Sequence, residues 1–380
     1  MNTRHLKIAI IRQRYDAFGG AERFVDRALH ALTNRQTQIT LLTRRWKGDS
    51  PFHIHQCAPF YIGRTWRDRS FSHCVCAHVN AADYDLVQSH ERIACCDIYR
   101  AGDGVHREWL AQRNRVLGPF ARLAQSMNPW HRYTLAAEHH VFENRNIEAV
   151  ICISRMVKDD IIRHFDVPQD KLYVIYNGID TEQFHPRLKL EHRSQIRQRL
   201  GISERETVFL FVGSGFQRKG VPILLQAMTR LAGNGHLLIV GKDKKLDEYK
   251  RLGGQLGITD KVHFIGPQID VKPYYGTADV FVLPTLYEPF GNVVLEAMAS
   301  GLAVITSNKC GGADIIEHGR NGYIGDALDL DALVTHMSNL SNREQQQAMG
   351  EAARIAAEPL TLEFMCRNMA RLYDELLSNR

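Results

Sequence analysis

Short apolar runs of strand length alternate along this chain with stretches whose apolar positions recur at helical spacing. Leu6–Arg12 reads as a buried strand. Gly19-Gly20 follows, then a helix with Phe24, Val25, Ala28, Leu29 and Leu32 on one face. Gln38–Thr43, Asp85–Ser89 and Ala149–Ser154 read as further strands. The second half repeats the design: strands at Thr207–Gly213, Leu237–Gly241, Val262–Gly266, Val280–Pro284 and Ala303–Thr306, with a helix over Val221–Leu231 and a polar one running to about Gly257. Gly301 stops a helix that starts near Asn292. Alternation of this kind predicts parallel sheets covered by helices on both faces, an α/β protein with two doubly wound, Rossmann-like domains.

The boundary falls at Tyr176-Asn177-Gly178-Ile179-Asp180, where Asn-Gly is a turn signal and the polar segment Arg187–Arg199 that follows looks like surface. The expected organisation is residues 1–176, residues 177–359, and a C-terminal helix within 360–380, after Pro359, that crosses back to the first domain. Ligands of open α/β sheets bind outside the carboxyl ends of the strands, so the chemistry is expected there, between the domains.

With 380 residues, 44% of them hydrophobic, each half can bury its own core. A net charge of +6 favours an anionic partner such as a nucleotide, an acidic lipid surface or a phosphorylated glycan. No run approaches the roughly 20 apolar residues needed to span a bilayer. Met1–Lys7 leads straight into a strand without the features of a signal peptide, so a cytoplasmic location is expected. The eight cysteines lack C-x-x-C spacing, and their scatter is that of reduced thiols.

Three segments combine the right residue types with a strand-to-helix position. In Phe18–Arg23, Gly19 and Gly20 let an anion approach the backbone at a helix start; alone, the pair is equally an ordinary tight turn, and it is not a G-x-G-x-x-G motif. In Gly213-Ser214-Gly215-Phe216-Gln217-Arg218-Lys219-Gly220, Arg218 can fork onto phosphate oxygens and Lys219 adds a compact charge, suited to a leaving diphosphate; the alternative is a solvated pair on a surface loop. In Glu288-Pro289-Phe290-Gly291-Asn292-Val293-Val294-Leu295-Glu296, two carboxylates separated by seven residues suit vicinal hydroxyls, and Gly291, Asn292 and Val293 offer N–H groups at a helix start; the alternative is a helix with a capping Asn and an ordinary surface glutamate. Asp103, between two glycines in Arg100–His106, is either a turn residue or a group that orients an acceptor hydroxyl. Asp83-Tyr84-Asp85 and Asp329-Leu330-Asp331 have D-x-D spacing but not the strand-end position a hard cation requires, so no metal is expected. His106–His140 carries Arg107, Arg113, Arg115, Arg122 and Arg132 with Trp109, Phe120, Trp130 and Tyr133 interleaved. It is either a helical insertion packed on its own domain or a contact with an anionic membrane surface. No nucleic-acid-binding signature is present.

The Gly-Gly turn, the Arg-Lys-Gly loop, the Glu-x7-Glu segment and Asn177-Gly178-Ile179-Asp180 together resemble the retaining glycosyltransferases of family 4, and their order covers nearly the whole chain. The resemblance implies the GT-B fold, two Rossmann-like domains facing across a cleft. It also implies transfer of a hexose from a nucleotide-sugar donor, used as co-substrate with no other cofactor. The implied roles are Glu288 on the donor sugar, Glu296 on its ribose, and Arg218, Lys219, Gly19 and Gly20 on the diphosphate. Phe290, Gly291, Asn292 and Val293 join the donor site, and Asp103 lies near the acceptor.

Phe18–Arg23, Phe216–Gly220 and Tyr99–Asp103 further resemble glucosyltransferases of lipopolysaccharide cores. That implies UDP-glucose as donor, a core heptose on a glycolipid as acceptor, and peripheral contact with the cytoplasmic face of an inner membrane. Glu288-Pro289-Phe290-Gly291 instead follows the commoner form of the wider family. The rival readings are a nucleotide-sugar epimerase of the same architecture and a non-catalytic, glycan-binding relative.

Overall fold

The computed structural model describes residues 6–14, 37–46, 52–231, 233 and 235–380. The chain divides into two compact units: residues 1–178 with 362–380, and residues 179–361. Gly19, Gly20 and the helix expected after them lie outside the described residues.

In the first unit, β1 (Leu6–Ile11), β2 (Thr37–Thr43), β3 (His53–Gln56), β4 (Leu86–Ser89), β5 (Ile98–Arg100), β6 (Ala149–Cys152) and β7 (Leu172–Val174) form one sheet in the order β3-β2-β1-β4-β5-β6-β7. Every pairing is parallel. A parallel strand covered on both faces needs a continuous apolar run, and Ile8–Ile11 is buried throughout. The chain builds outward from β1 to β3, then returns to place β4 on the other side of β1. The order therefore reverses between β1 and β4.

The helix Leu362–Ser378 completes this unit. Met365, Cys366, Met369, Leu372, Tyr373 and Leu376 recur on one face and join Ile8, Ile10, Ile39 and Leu86 in a single core cluster. Each large apolar side chain so buried contributes about 1.5–3 kcal/mol. The Tyr373 hydroxyl donates to Gln88 Oε1 at 2.6 Å.

The second unit repeats the plan with β8 (Thr207–Val212), β9 (Gly235–Val240), β10 (Val262–Gly266), β11 (Val280–Leu283), β12 (Ala303–Ser307) and β13 (Gly322–Gly325). The order is β10-β9-β8-β11-β12-β13, again all parallel, and it reverses between β8 and β11. Both sheets are thus doubly wound.

Two expectations are refined. Arg187–Arg199 is surface along most of its length, but it lies mostly within the helix Leu188–Leu200, which buries Leu188, Arg193, Ile196 and Arg197 on one face. Asp279 makes this possible: its carboxylate accepts from Arg193 Nη1 at 2.8 Å, Arg197 Nη2 at 2.7 Å and the Val208 N–H at 2.9 Å. Buried charges persist only when paired and hydrogen-bonded, and this network fastens the helix to the starts of β8 and β11. Not all the cysteines are free thiols. The helix Gly63–Ala81 and the loop after β4 bring Cys76 and Cys95 to a Cα–Cα distance of 5.6 Å, and the two are joined in a disulfide.

Candidate active site

The reversal between β8 and β11 is where a ligand crevice opens in an open α/β sheet. The loop after β8 carries Arg218 and Lys219, and the loop after β11 carries Glu288. These two loops are zipped together. Leu286 N–H donates to the Arg218 carbonyl at 2.8 Å, and Thr285 Oγ1 donates to the same oxygen at 3.2 Å. Gly220 permits the close approach: its φ is +84°, and a Cβ there would lie 2.0 Å from the Pro284 carbonyl oxygen. Only glycine satisfies both conditions.

The charged groups then converge. Arg218 Nη1 lies 2.8 Å from Glu288 Oε2 and donates also to the Tyr287 carbonyl at 2.8 Å. Lys219 Nζ lies 3.0 Å from the same carboxylate oxygen. Burial on its own would raise the Glu288 carboxyl; the charges of Lys219 and Arg218 and the hydrogen bonds both make outweigh it and hold the group below its ordinary value. Glu288 is fixed through its backbone as well, by its N–H to the Lys309 carbonyl at 2.9 Å and by the Gly311 N–H to its own carbonyl at 2.8 Å. The three side chains form a fixed cluster of net charge +1.

Gly291, at φ +79°, turns the chain into the helix Asn292–Ala299. Asn292 and Val293 head this helix, where N–H groups lack intrahelical acceptors. Glu296 lies further along the same helix, and the Tyr275 hydroxyl donates to its Oε2 at 2.8 Å. Burial and the Glu296 charge keep that tyrosine protonated, well above its ordinary range. Phe290 is 2% exposed: its ring belongs to the core beneath the loop, and its carbonyl accepts from Cys310 Sγ.

The first unit holds a second polar crevice, at its own strand-order reversal. A cavity of about 160 Å³ opens past the ends of β1, β4 and β5, lined among others by Gln13, Asp68, Glu91, Arg92, Asp103 and Trp130. Asp103 is exposed, with Arg92 Nη1 at 3.8 Å. Arg92 is itself held by Glu138 at 3.2 Å and by the Gly104 carbonyl at 3.0 Å. Of these, sequence reasoning singled out Asp103 as an acceptor-side candidate and Trp130 only as part of the basic segment. Glu91 and Arg92 come just after β4, beyond His90, and that place past a strand end is the available signal.

A larger cavity, of about 650 Å³, lies in the second unit against Lys189, Asp279, Gly301 and Arg354. Asp279 and Gly301 precede β11 and β12, so this cavity is at the amino ends of the strands, away from Glu288.

The D-x-D candidates serve local structure. Asp85 Oδ2 accepts from the Lys7 N–H at 2.7 Å, Asp329 caps a helix through the Ala332 N–H at 2.9 Å, and Asp331 pairs with Arg230 at 2.7 Å. Among the described residues, no group of three or more His, Cys, Asp or Glu is placed to hold a metal ion.

His106–His140 folds as helices at His106–Asn114, Pro119–Met127 and, extending beyond the segment, Pro129–Phe142. Glu108 and Glu138 are buried, and Glu138 caps the first of these helices through the N–H groups of His106 and Arg107. Trp130 is committed inward: its Nε1–H donates to Asp68 at 2.8 Å, and Arg64 stacks 4.0 Å over its ring. The exposed apolar residues are Phe120, Leu123 and Met127, on one face of the middle helix. Among the described residues, no helix is long and apolar enough to cross a membrane.

Residues 18–183 match the Glycosyltransferase Family 4 model, and residues 192–356 match that of the Glycosyl transferases group 1. Together with the paired doubly wound sheets, these matches place the chain among the glycosyltransferases of the GT-B fold. Within that class it is similar to the lipopolysaccharide glucosyltransferase WaaG of Escherichia coli, at 27% identity over 83% of this chain and 84% of that protein. The crystal structure of WaaG superposes with a TM-score of 0.81 at 25% identity, covering 96% of this chain and 99% of WaaG. An uncharacterized glycosyltransferase of Methanocaldococcus jannaschii is 39% identical, but the match spans 46% of this chain and only 45% of that relative. Anabaena HepE, solved with UDP and glucose, shares the fold at 21% identity, with a TM-score of 0.73 over 98% of this chain and all of HepE.

Proposed function

We propose that the chain transfers a hexose, with retention of anomeric configuration, from a UDP-linked donor to a sugar acceptor, with UDP-glucose as donor and a heptose of a lipopolysaccharide core as acceptor. The observation that carries this reading is the Arg218–Lys219–Glu288 cluster at the reversal between β8 and β11. Its net positive charge suits a diphosphate that gains negative charge as the glycosidic bond breaks. Glu288 stays ionised beside the two cations, ready to accept hydrogen bonds from donor-sugar hydroxyls. Glu296, steadied by Tyr275, takes the ribose hydroxyls, and the helix start at Gly291–Val293 meets phosphate. The similarity to WaaG supports the donor and acceptor classes, and HepE, solved with UDP and glucose, supports a UDP-linked donor.

The reaction needs no metal ion, because the cationic pair supplies the charge that a divalent cation supplies elsewhere. The acceptor hydroxyl attacks on the leaving-group face, and the departing phosphate takes its proton. The enzyme works at the cytoplasmic face of an inner membrane, held there by the basic segment His106–His140 and the apolar face of Pro119–Met127. The test is to incubate the protein with a panel of nucleotide sugars and rough lipopolysaccharide, with and without EDTA. Glucose transfer from UDP-glucose that survives chelation is expected. Conversion of the donor sugar without any acceptor would indicate an epimerase, and full loss on chelation with rescue by Mg²⁺ or Mn²⁺ would refute metal independence.

A further inference from the structure

The larger cavity of the second unit, about 650 Å³, takes no part in the chemistry described above, yet it has the size of a small-molecule site. Three helices form most of its wall. Leu188–Leu200 carries Lys189, Lys272–Thr277 carries Tyr275, and Arg343–Ala357 carries Arg343 and Ile355. The turn Ser300-Gly301-Leu302, between the helix Asn292–Ala299 and β12, closes it. The helix Arg343–Ala357 lies directly on this turn, because Gly350 has no Cβ to collide with the Gly301 carbonyl.

Cations outnumber carboxylates around the cavity. Asp279 takes Arg193 at 2.8 Å and Arg197 at 2.7 Å, and leaves Lys189 Nζ at 3.9 Å. Glu204 also takes Arg193, at 2.8 Å. Arg343 adds a further cation: its guanidinium donates to the Glu204 carbonyl at 3.2 Å and pairs with no carboxylate among the described residues. Arg354 is committed elsewhere, to Glu358 at 3.0 Å and to the Ala299 carbonyl at 2.6 Å. Glu351 accepts from Gln347 Nε2 at 3.0 Å, and even with its charge counted the balance stays positive. Desolvation first, and then the Arg193, Arg197 and Arg343 charges, hold Lys189 below its ordinary range despite Asp279. An anion beside Lys189 and Arg343 relieves this crowding, and a phosphate dianion answers two cations better than a carboxylate does. Leu302 and Ile355 supply an apolar wall for the rest of the ligand, and Ile355 is 69% exposed while that wall is uncovered.

Two lining residues also hold Glu296. The Tyr275 hydroxyl donates to its carboxylate at 2.8 Å, and Ser300 Oγ donates to its carbonyl at 2.8 Å. We infer that this cavity is a second ligand site, which takes a small phosphate ester with an apolar body on Lys189 and Arg343, and that its occupation tightens nucleotide binding by steadying Tyr275 and Ser300 against Glu296. The coupling rests on the donor role proposed for Glu296; the binding itself does not.

The probe is phenyl phosphate, titrated by calorimetry into protein saturated with UDP, so that the cations beside Glu288 are already covered. Benzoate and benzyl alcohol are its carboxylate and neutral counterparts. Phenyl phosphate should bind, benzoate more weakly, and benzyl alcohol not at all. Lys189→Met should weaken phenyl phosphate by about tenfold, through loss of one charge-assisted contact, and leave UDP affinity in the absence of the probe unchanged. In the wild type, phenyl phosphate should raise UDP affinity by about fivefold, and UDP must raise phenyl phosphate affinity by the same factor. Ser300→Ala should reduce that factor while the UDP-free protein still binds the probe. Absence of phenyl phosphate binding, equal binding by Lys189→Met, or equal binding of benzoate or benzyl alcohol overturns the site. Binding without any change in UDP affinity overturns the coupling. Failure of UDP itself to bind would sink the donor reading, and phenyl phosphate titrated into UDP-free wild type and Lys189→Met would still decide the cavity.

Discussion

Replacing Lys219 by methionine removes one charge while keeping the aliphatic stem that lies against Gly213, where an added Cβ would sit 2.7 Å from Lys219 Cδ. In the wild type, Arg218 and Lys219 both reach Glu288 Oε2, at 2.8 and 3.0 Å, and the cluster retains one net positive charge for an incoming anion. In the variant, Arg218 only neutralises Glu288, so the cluster keeps no net positive charge for the leaving diphosphate, and only the helix start at Gly291–Val293 remains. One charge pair at about 4 Å in an effective dielectric of about 20 is worth about 4 kcal/mol. Loss of a preorganised stabiliser of transition-state charge lowers kcat by about 10²–10³, or about 2.7–4 kcal/mol. Both routes give a fall of at least two orders of magnitude. Because the phosphate charge grows as the bond breaks, kcat should fall more than KM rises. The assay is UDP release from UDP-glucose in the presence of acceptor, with circular dichroism confirming that the variant is folded. A folded Lys219→Met protein with kcat within about threefold of wild type would refute the role given to the pair.

Glu288→Gln and Glu296→Gln should differ in kind: titration with UDP by calorimetry is expected to weaken only for Glu296→Gln, and equal weakening would overturn the division between sugar and ribose. Burial first, and then the nearby charges of Arg92, His131, Arg113 and Arg64, push His106 down to about 3. The native state therefore refuses a proton that the unfolded chain takes below about pH 6.5, and this contribution to stability is full above that pH and lost as pH falls towards 3. Between pH 6.5 and 5 the loss is at most about 2 kcal/mol. All four tryptophans lie in the first unit, so urea unfolding followed by tryptophan emission should show a midpoint that falls over this range, with a shallower fall in His106→Asn. Vesicles containing anionic lipid should bind the protein at low salt and release it as ionic strength rises, and Phe120→Ser with Leu123→Ser should abolish binding; indifference of the wild type to anionic vesicles would remove the membrane from the proposal.

The strands that the sequence reveals are those with long apolar runs. Val262–Gly266 is found with the expected bounds, and Thr207–Val212 and Val280–Leu283 differ only by one residue at their carboxyl ends. His53–Gln56, Ile98–Arg100 and Gly322–Gly325 escape because His, Gln, Arg or Gly residues break their apolar runs, and Leu172–Val174 escapes at only three residues. Arg193 and Arg197 mislead for a different reason. Their charges argue for solvent until Asp279, more than eighty residues away in sequence, is seen to accept from both. The anchoring of Trp130 by Asp68 is equally non-local, and it transfers the exposed apolar role in that region to Phe120, Leu123 and Met127.

The same contrast separates the two crevices. In the second unit the charged residues are carried by two contiguous loops, Gly213–Gly220 and Glu288–Glu296, each with a recognisable spacing. The sequence therefore exposes them, and the structure adds the Leu286 and Gly220 contacts that hold them together. In the first unit the polar lining is assembled from Gln13, Asp68, Glu91, Asp103 and Trp130, which no local pattern connects. Yet both lie where their strand order reverses, at β8/β11 and at β1/β4. At such a point the two flanking loops turn to opposite faces of the sheet and leave a gap at the carboxyl ends of the strands. A crevice whose residues lie on contiguous segments shows their types and spacing in the sequence. A crevice built from residues brought together by the fold becomes legible only when the topology is known.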